Sequence, residues 1–316
     1  MMTGTIVTYD GSRYRLPTIL EWKFEYATSS PCDSFSVRFL WENDMTEVLS
    51  GAVRFQAEED GERVFTGVVD EFTIQVDHNG RQAELIGRGM AALLLDNEAE
   101  AADYDTATWA DILRRHVTPY GIEAVGTAPP PAHGFSVAYG SSEWQAIYDF
   151  ARYWGGTVPR FDRMGRLVTG AWDDSSAIAL DDSVAVTDMR WRERRYGVLS
   201  QVKVRDKTRQ AVETVEDPEF IAQGGCCRRW YTMPGKSNYQ AMRYRGQYQL
   251  ERSRAERYQL EVTIPRAFFA FPGELVQVAR NGWGCNGKYR VAQAVSTCNA
   301  DEAHTTLLLS VPDLVG

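Results

Sequence analysis

Residues 64–99 run as strand, turn, strand and apolar tail without a break, and this stretch constrains the architecture more than any other. Val64, Thr66, Val68, Asp70, Phe72, Ile74 and Val76 recur at period two, which places them on one side of a strand with a buried face. Asn79-Gly80 tolerates the positive φ angles of a tight hairpin turn, and residues 82–87 lead back into Gly89 and the apolar run 90–95. A long hairpin with an apolar tail needs a second layer to cover it.

The same alternation recurs at Leu20, Trp22, Phe24 and Tyr26, along 34–41 and along 52–57, after an opening hairpin around Asp10-Gly11. Residues 1–97 are therefore expected to form a strand-rich module, a small antiparallel barrel or sandwich. The pattern changes after Asn97. Residues 98–105 are acidic and rich in alanine, and Thr108 with Asp111 forms an N-cap signal for a helix whose Trp109, Ile112, Leu113 and His116 share one face. Pro129-Pro130-Pro131 marks an extended connection. A second helix starts at Ser142, with Gln145 completing the cap and Trp144, Ile147, Tyr148 and Ala151 on one side, and Gly155-Gly156 stops it. A hairpin around 162–165 completes a small α/β domain over 98–182.

Strand character returns at 186–191, 198–204 and 211–215, followed by an expected long loop over 217–236 that holds Gly224-Gly225-Cys226-Cys227. A helix near 237–256 presents Ala241, Tyr244, Tyr248 and Ala255 on one face. Strands at 258–264, 274–278, 289–295 and 305–309 suggest a second strand-rich module over 183–316. The expected fold class is α+β, predominantly β, with two barrel-like antiparallel β domains flanking a small α/β domain. At 316 residues the chain is long enough for this, since a domain takes roughly 100–200 residues.

Composition narrows the function classes. No apolar run approaches the ~20 residues that cross a bilayer, and the N-terminus lacks the basic and apolar regions of a signal peptide. Five cysteines, Cys32, Cys226, Cys227, Cys285 and Cys298, form an odd set without a CxxC spacing, which argues against a disulfide framework and a zinc ribbon. A net charge of −9 argues against a general nucleic-acid binder. The charge is unevenly spread. Acids crowd the first hundred positions, as at 58–62, whereas Arg190, Arg192, Arg194, Arg195, Lys203, Arg205, Lys207 and Arg209 make the later region basic. Solvated strand faces account for most such residues; complementary surfaces between domains or subunits are the sharper reading.

The chemical signals are weak. Gly140-Ser141-Ser142 lacks the GxSxG spacing of a nucleophile elbow and suits a helix cap better. His116 on an apolar helix face has no second histidine at i+4, and His78 and His304 are not grouped with any cysteine. The pairs Asp173-Asp174 and Asp181-Asp182 suit turns, because adjacent strand residues point to opposite faces and cannot flank a sugar together. Trp230, Tyr231 and Trp283 could stack on sugars or bases, but aromatic residues more often serve cores and interfaces. No catalytic, cofactor-binding or metal-binding residue is assigned, no cofactor is expected, and the chain reads as non-enzymatic. A peptidoglycan hydrolase or a carbohydrate-binding tail component is the alternative.

Three passages carry a resemblance. FTGVVDEFTIQVDHNGRQAELIGRGMAALLLDNEA resembles the first-domain hairpin of phage tail hub proteins, the family of late control protein D and the head of VgrG. SSEWQAIYDFARYWGGTVPRFDRMGRLVTG is similar to the helix and hairpin midway through such hubs. FPGELVQV with GKYRVAQAVSTCNADEAHTTLLLSV resembles their terminal strands. The resemblance implies a structural hub of a phage or phage-like contractile tail baseplate, made in the host cytoplasm. Its homotrimer would form a pseudo-sixfold ring joining the sixfold tail tube to the threefold spike. The implied partners are further copies of the chain, the tail tube protein, the spike protein, other baseplate proteins and a tape measure protein. DNA would be only passing cargo, and no membrane insertion is implied. On this reading the long strands of 64–99 belong at a subunit interface.

Overall fold

The computed structural model describes residues 1–28, 30–42, 45–78, 80–208, 210–233 and 239–312. Asn79 of the expected turn, Arg209 of the basic run and the expected helix start at Ser237 lie outside the described residues.

The first third of the chain is a string of antiparallel strands: β1 (Met2–Thr8), β2 (Arg13–Arg15), β3 (Ile19–Ala27), β4 (Ser34–Leu40), a short helix α1 (Met45–Ser50), β5 (Ala52–Glu59), β6 (Glu62–Asp77) and β7 (Gly80–Gly89). The hairpin β6–β7 is the longest pairing here, running from Gly67↔Gly89 to Asp77↔Gly80. It departs from strict period two at one point. The register steps from Val69↔Gly87 to Glu71↔Ile86, so Asp70 sits in a bulge that shifts the side-chain phase by one. Phe65 and Val69 face the main core before the bulge, and Phe72 and Ile74 face it after; Val68 points instead into the core of the middle unit. The single apolar side expected for Val64 to Val76 is thus divided between two cores. Arg88 holds the bulge, its guanidinium donating to both carboxylate oxygens of Asp70 at 2.7 and 2.9 Å and to Asp96 at 3.0 and 2.6 Å.

The middle section contains α2 (Ala92–Leu95), β8 (Ala102–Ala107), α3 (Trp109–His116), β9 (Ala124–Gly126), β10 (Ala132–Val137), α4 (Glu143–Asp149) running into a wide turn at Phe150–Trp154, β11 (Arg160–Phe161) and β12 (Leu167–Thr169). Both expected helix caps are present. The Thr108 hydroxyl accepts from the Asp111 amide at 3.2 Å, and the Ser142 hydroxyl accepts from the Gln145 amide at 3.1 Å. The acidic stretch after Asn97 enters strand β8, which pairs with β10 beyond the triple proline.

The last section holds β13 (Ala177–Asp181), β14 (Asp188–Glu193), β15 (Leu199–Asp206), β16 (Ala211–Glu216), α5 (Pro218–Ala222), β17 (Cys227–Thr232), α6 (Tyr239–Ala255), β18 (Tyr258–Ile264), β19 (Leu275–Ala279), β20 (Gly287–Cys298) and β21 (Ala303–Ser310). The segment expected as a long loop holds α5 and β17. Asp217 caps α5, its Oδ1 accepting from the Phe220 amide at 2.9 Å, with Pro218 in the first turn. The helix supplies the crossover that lets β17 lie parallel to β15.

Strands dominate, and most pair antiparallel. Strands from the two ends of the chain join in one sheet, with path β14-β18-β21-β20-β3-β4-β7-β6-β5-β1-β2 and β13-β19 attached at β20. The barrels expected at the two ends are not closed among the described residues. The reason lies in β20: its first residues pair with β19 and the later ones, Gln293 to Cys298, pair with Ala27 to Trp22 of β3, so strand edges that could close separate barrels instead join the two ends. One apolar core follows this sheet across the seam. It combines Phe24, Tyr26, Phe35, Phe55 and Phe65 with Leu260, Val262, Leu307 and Leu309. Phe35 stacks on Phe55 at 4.3 Å and Trp22 on Phe269 at 5.5 Å. Each such fully buried side chain contributes about 1.5–3 kcal/mol.

Gly87 allows the close crossing of the hairpin, because a Cβ there would lie 2.0 Å from the Val68 carbonyl oxygen. A separate core forms where α6 covers β15 and β16, with Met242, Leu250, Val202 and Val204 buried. Helix α6 was expected to bury Ala241, Tyr244, Tyr248 and Ala255. It buries Ala241, Met242, Gly246 and Leu250, and turns Tyr248 toward Tyr148 of the middle unit. Lying between two layers, it needs two packing stripes, which a single-face reading cannot supply.

Candidate functional site

The residues singled out for chemistry are held by structural partners and do not converge. Ser142 caps α4. His116 is fully buried, with Nδ1 2.5 Å from Glu143 Oε2, while the Tyr120 hydroxyl donates to Glu143 Oε1 at 3.1 Å. His78 is exposed beside the hairpin turn. His304 lies on β21 against Thr297. Asp174 accepts from Arg290 at 2.7 and 3.0 Å, and Asp173 accepts from the Ser175 amide. Asp181 binds Ser183, and Asp182 binds Asn281. All five cysteines are free thiols, and no group of three or more His, Cys, Asp or Glu among the described residues is arranged to hold a metal. Tyr231 and Trp283 are half-buried against cores; Trp230 is 54% exposed.

Two clefts lie where the joined sheet, the middle unit and α6 meet. The first, of about 340 Å³, is lined by Trp144, Tyr148, Phe161, Trp172 and Asp33. Burial raises the Asp33 carboxyl to about 7, against a lowering contribution from the Ala27 amide, which donates to it at 3.3 Å. The second, of about 420 Å³, adds Arg192, Arg194, Glu251 and Glu256. Neither pairs a nucleophile with a base. Sequence reasoning passed over Asp33 and Glu143, since nothing local marks a carboxylate for burial by distant strands.

The surfaces with unmet bonding capacity are strand edges and charged faces. β5 pairs with β6 only between Glu62 and Val68, whereas β7 follows β6 to Asp77. The remaining length of β6 has one edge without a partner strand among the described residues, and an open edge is a template for another strand. Of the later arginines, Arg190 pairs with Glu261 at 3.4 Å, Arg194 with Glu256 at 3.3 Å and Arg195 with Glu193 at 3.0 Å. These are solvated pairs within the chain.

Over 99% of its length the chain superposes on a tail protein from Neisseria meningitidis, with TM-score 0.79, 20% identity and 98% of that chain covered. It superposes equally, with TM-score 0.79, on the 43 kDa tail protein of prophage MuSo2 from Shewanella oneidensis, at 17% identity, covering 99% of this chain and 100% of that one. The chain has the fold of phage tail proteins. An Escherichia coli component of the type VI secretion system, described as structurally similar to bacteriophage tail proteins, matches 93% of this chain and 73% of its own at TM-score 0.60 and 14% identity. The sequence itself matches no protein-family profile and no curated protein.

Proposed function

We infer that the chain is a structural subunit of a phage or phage-like tail baseplate, acting as a hub. Three copies form a ring that joins a sixfold tail tube to a threefold spike. The observation that carries this reading is the full-length likeness to two tail proteins at TM-score 0.79. The sheet supports it: strands of the two chain ends lie side by side through β3 and β20, so each subunit can contribute a wall segment from each end, as a pseudo-sixfold ring of three copies requires. The open edge of β6 is suited to accept a strand of the next copy.

The role is non-enzymatic, and the buried His116 and Glu143 serve the middle core. The partners proposed are the tail tube, the spike, a tape measure protein and other baseplate proteins, with assembly in the host cytoplasm and DNA as passing cargo. The three regions 1–97, 98–182 and 183–316 are proposed as its domains. Native mass spectrometry of the purified chain tests the reading. A species of three chains is expected; a chain that remains monomeric at high concentration, alone and with tube or spike protein, contradicts it.

A further inference from the structure

The middle unit and the sheet under α6 form a stack whose two ends carry opposite charge. At one end is the ribbon β8–β10, whose Phe135 meets Phe150 edge-on at 5.3 Å. Next comes the α4 segment, whose Tyr148 meets Tyr248 of α6 at 6.2 Å and whose Arg152 lies 4.2 Å over the Tyr248 ring. Helix α6 then packs on β15 and β16 so closely that a Cβ on Gly246 would lie 2.6 Å from Val215.

The outer face of β16-β15-β17 follows from its register. One row is Glu216, Gln201 and Arg228; the next is Thr214, Lys203 and Trp230; the last is Val212, Arg205 and Thr232. Lys203 Nζ sits 5.3 Å over the Trp230 ring, and Arg205 Nε donates to the Thr232 hydroxyl at 2.8 Å. Glu216, the one acid in these rows, binds Gln201. Unlike Arg190 of β14, which meets Glu261, none of Lys203, Arg205 and Arg228 has a carboxylate partner among the described residues. The exposed half of Trp230 makes this a cationic surface with an aromatic centre, of the kind that interfaces favour.

At the far end of the stack, Asp103 and Asp105 are exposed on β8, with Tyr104 between them turned into the core. Neither has a cation partner among the described residues, whereas Glu100, nearby on the chain, is paired with Arg115 at 3.2 Å. Alternate residues on a strand are about 6.7 Å apart, so the Asp103–Asp105 spacing matches the Lys203–Arg205 spacing.

We propose that the basic face of β16-β15-β17 docks the acidic β8 ribbon of a second copy of this chain. The contact is head to tail, because the two patches lie on opposite ends of one stack, and a head-to-tail contact with the right rotation closes into a ring. This rests on the oligomer proposed above and adds which faces set its register. Charges at such a contact fix orientation and raise the association rate at low salt.

The test uses the full-length chain in sedimentation at low and moderate salt. The charge reversals Lys203→Glu with Arg205→Glu, and separately Asp103→Lys with Asp105→Lys, are each expected to weaken association by roughly tenfold or more. The fourfold variant, with the charges exchanged, is expected to recover most of that loss. The neutral pair Lys203→Gln with Arg205→Gln serves should a reversal impair folding, and it is expected to weaken association in the same direction. Unchanged association in folded variants, or a fourfold variant no better than either pair, overturns the proposal while leaving the wild-type ring standing. A wild type that never associates instead removes the hub reading. Binding of a DNA oligonucleotide that is lost in the Lys203→Glu, Arg205→Glu variant with association intact assigns the face to nucleic acid and also overturns the proposal.

Discussion

The side-chain amide of Gln293 donates to the Glu25 carboxylate at 3.0 Å across 268 positions of sequence. The bond lies on the seam where β20 pairs with β3, and beneath the seam the two ends of the chain share one core. Two ends that share a core should unfold together.

Phe24 is fully buried at the seam, 5.5 Å from Phe65 and 6.4 Å from Phe269. Phe24→Ala is expected to cost about 3–5 kcal/mol. Leu307→Ala, in the other end of the chain, is expected to lower the same transition. Urea unfolding followed by tryptophan fluorescence and by circular dichroism checks this; separate shifts of two transitions would argue for independent cores.

Gly87 faces the Val68 carbonyl with no room for a side chain. Gly87→Ala must push β6 from β7 at the hairpin crossing, at a cost of about 3 kcal/mol. Thermal unfolding of this variant should show a drop of several degrees, whereas Gly11→Ala, where a Cβ would meet nothing, should show a much smaller one from its positive φ alone.

Asp33 gives the stability a pH dependence. Its folded pKa of about 7 lies well above the ordinary carboxylate value of 3.8, chiefly through burial. The folded state therefore holds its proton more tightly, so the stabilisation is complete below about pH 4 and is lost as pH rises toward and through 7. At roughly 1.4 kcal/mol per pKa unit, the loss is on the order of 4 kcal/mol. Asp149, also raised by burial to about 6, adds to it in the same direction. Asp33→Asn should flatten the decline and exceed the wild type in stability at pH 8, measured by urea midpoints across pH.

Glu143 accepts from two groups, His116 and Tyr120, on its two oxygens. An amide has one acceptor oxygen, so Glu143→Gln replaces one accepting oxygen by an N–H donor, and the partner there must turn from donor to acceptor. A loss of about 1–3 kcal/mol is expected, and a smaller loss from Glu143→Gln in the Tyr120→Phe background than in the wild type is expected if the two groups share one network. Additive losses in a double-mutant cycle would argue against a shared network.

What the sequence discloses is what its neighbours determine. The hairpin 64–99 and the caps at Thr108 and Ser142 rest on signals a few residues long, and they appear where those signals lie. The bulge at Asp70 is set by Arg88 and by the second core beneath Val68, so period two alone misses it. Strands β8 and β10 were hidden by alanine, acid and proline, because their pairing comes from packing on Phe150. The capped Asp217-Pro218 start of α5 was present in the sequence and was masked by the glycines after it. Charge asymmetry is plain in the sequence. Which cations lack partners is not: Arg190 and Lys203 look alike until the first meets Glu261 and the second faces outward over Trp230.

Single-particle imaging of the purified chain, alone and with its tube and spike partners, tests the hub most directly. The account predicts threefold rings around a central channel, with the walls continuous from subunit to subunit. Monomers under all these conditions, or open filaments without threefold closure, would contradict it.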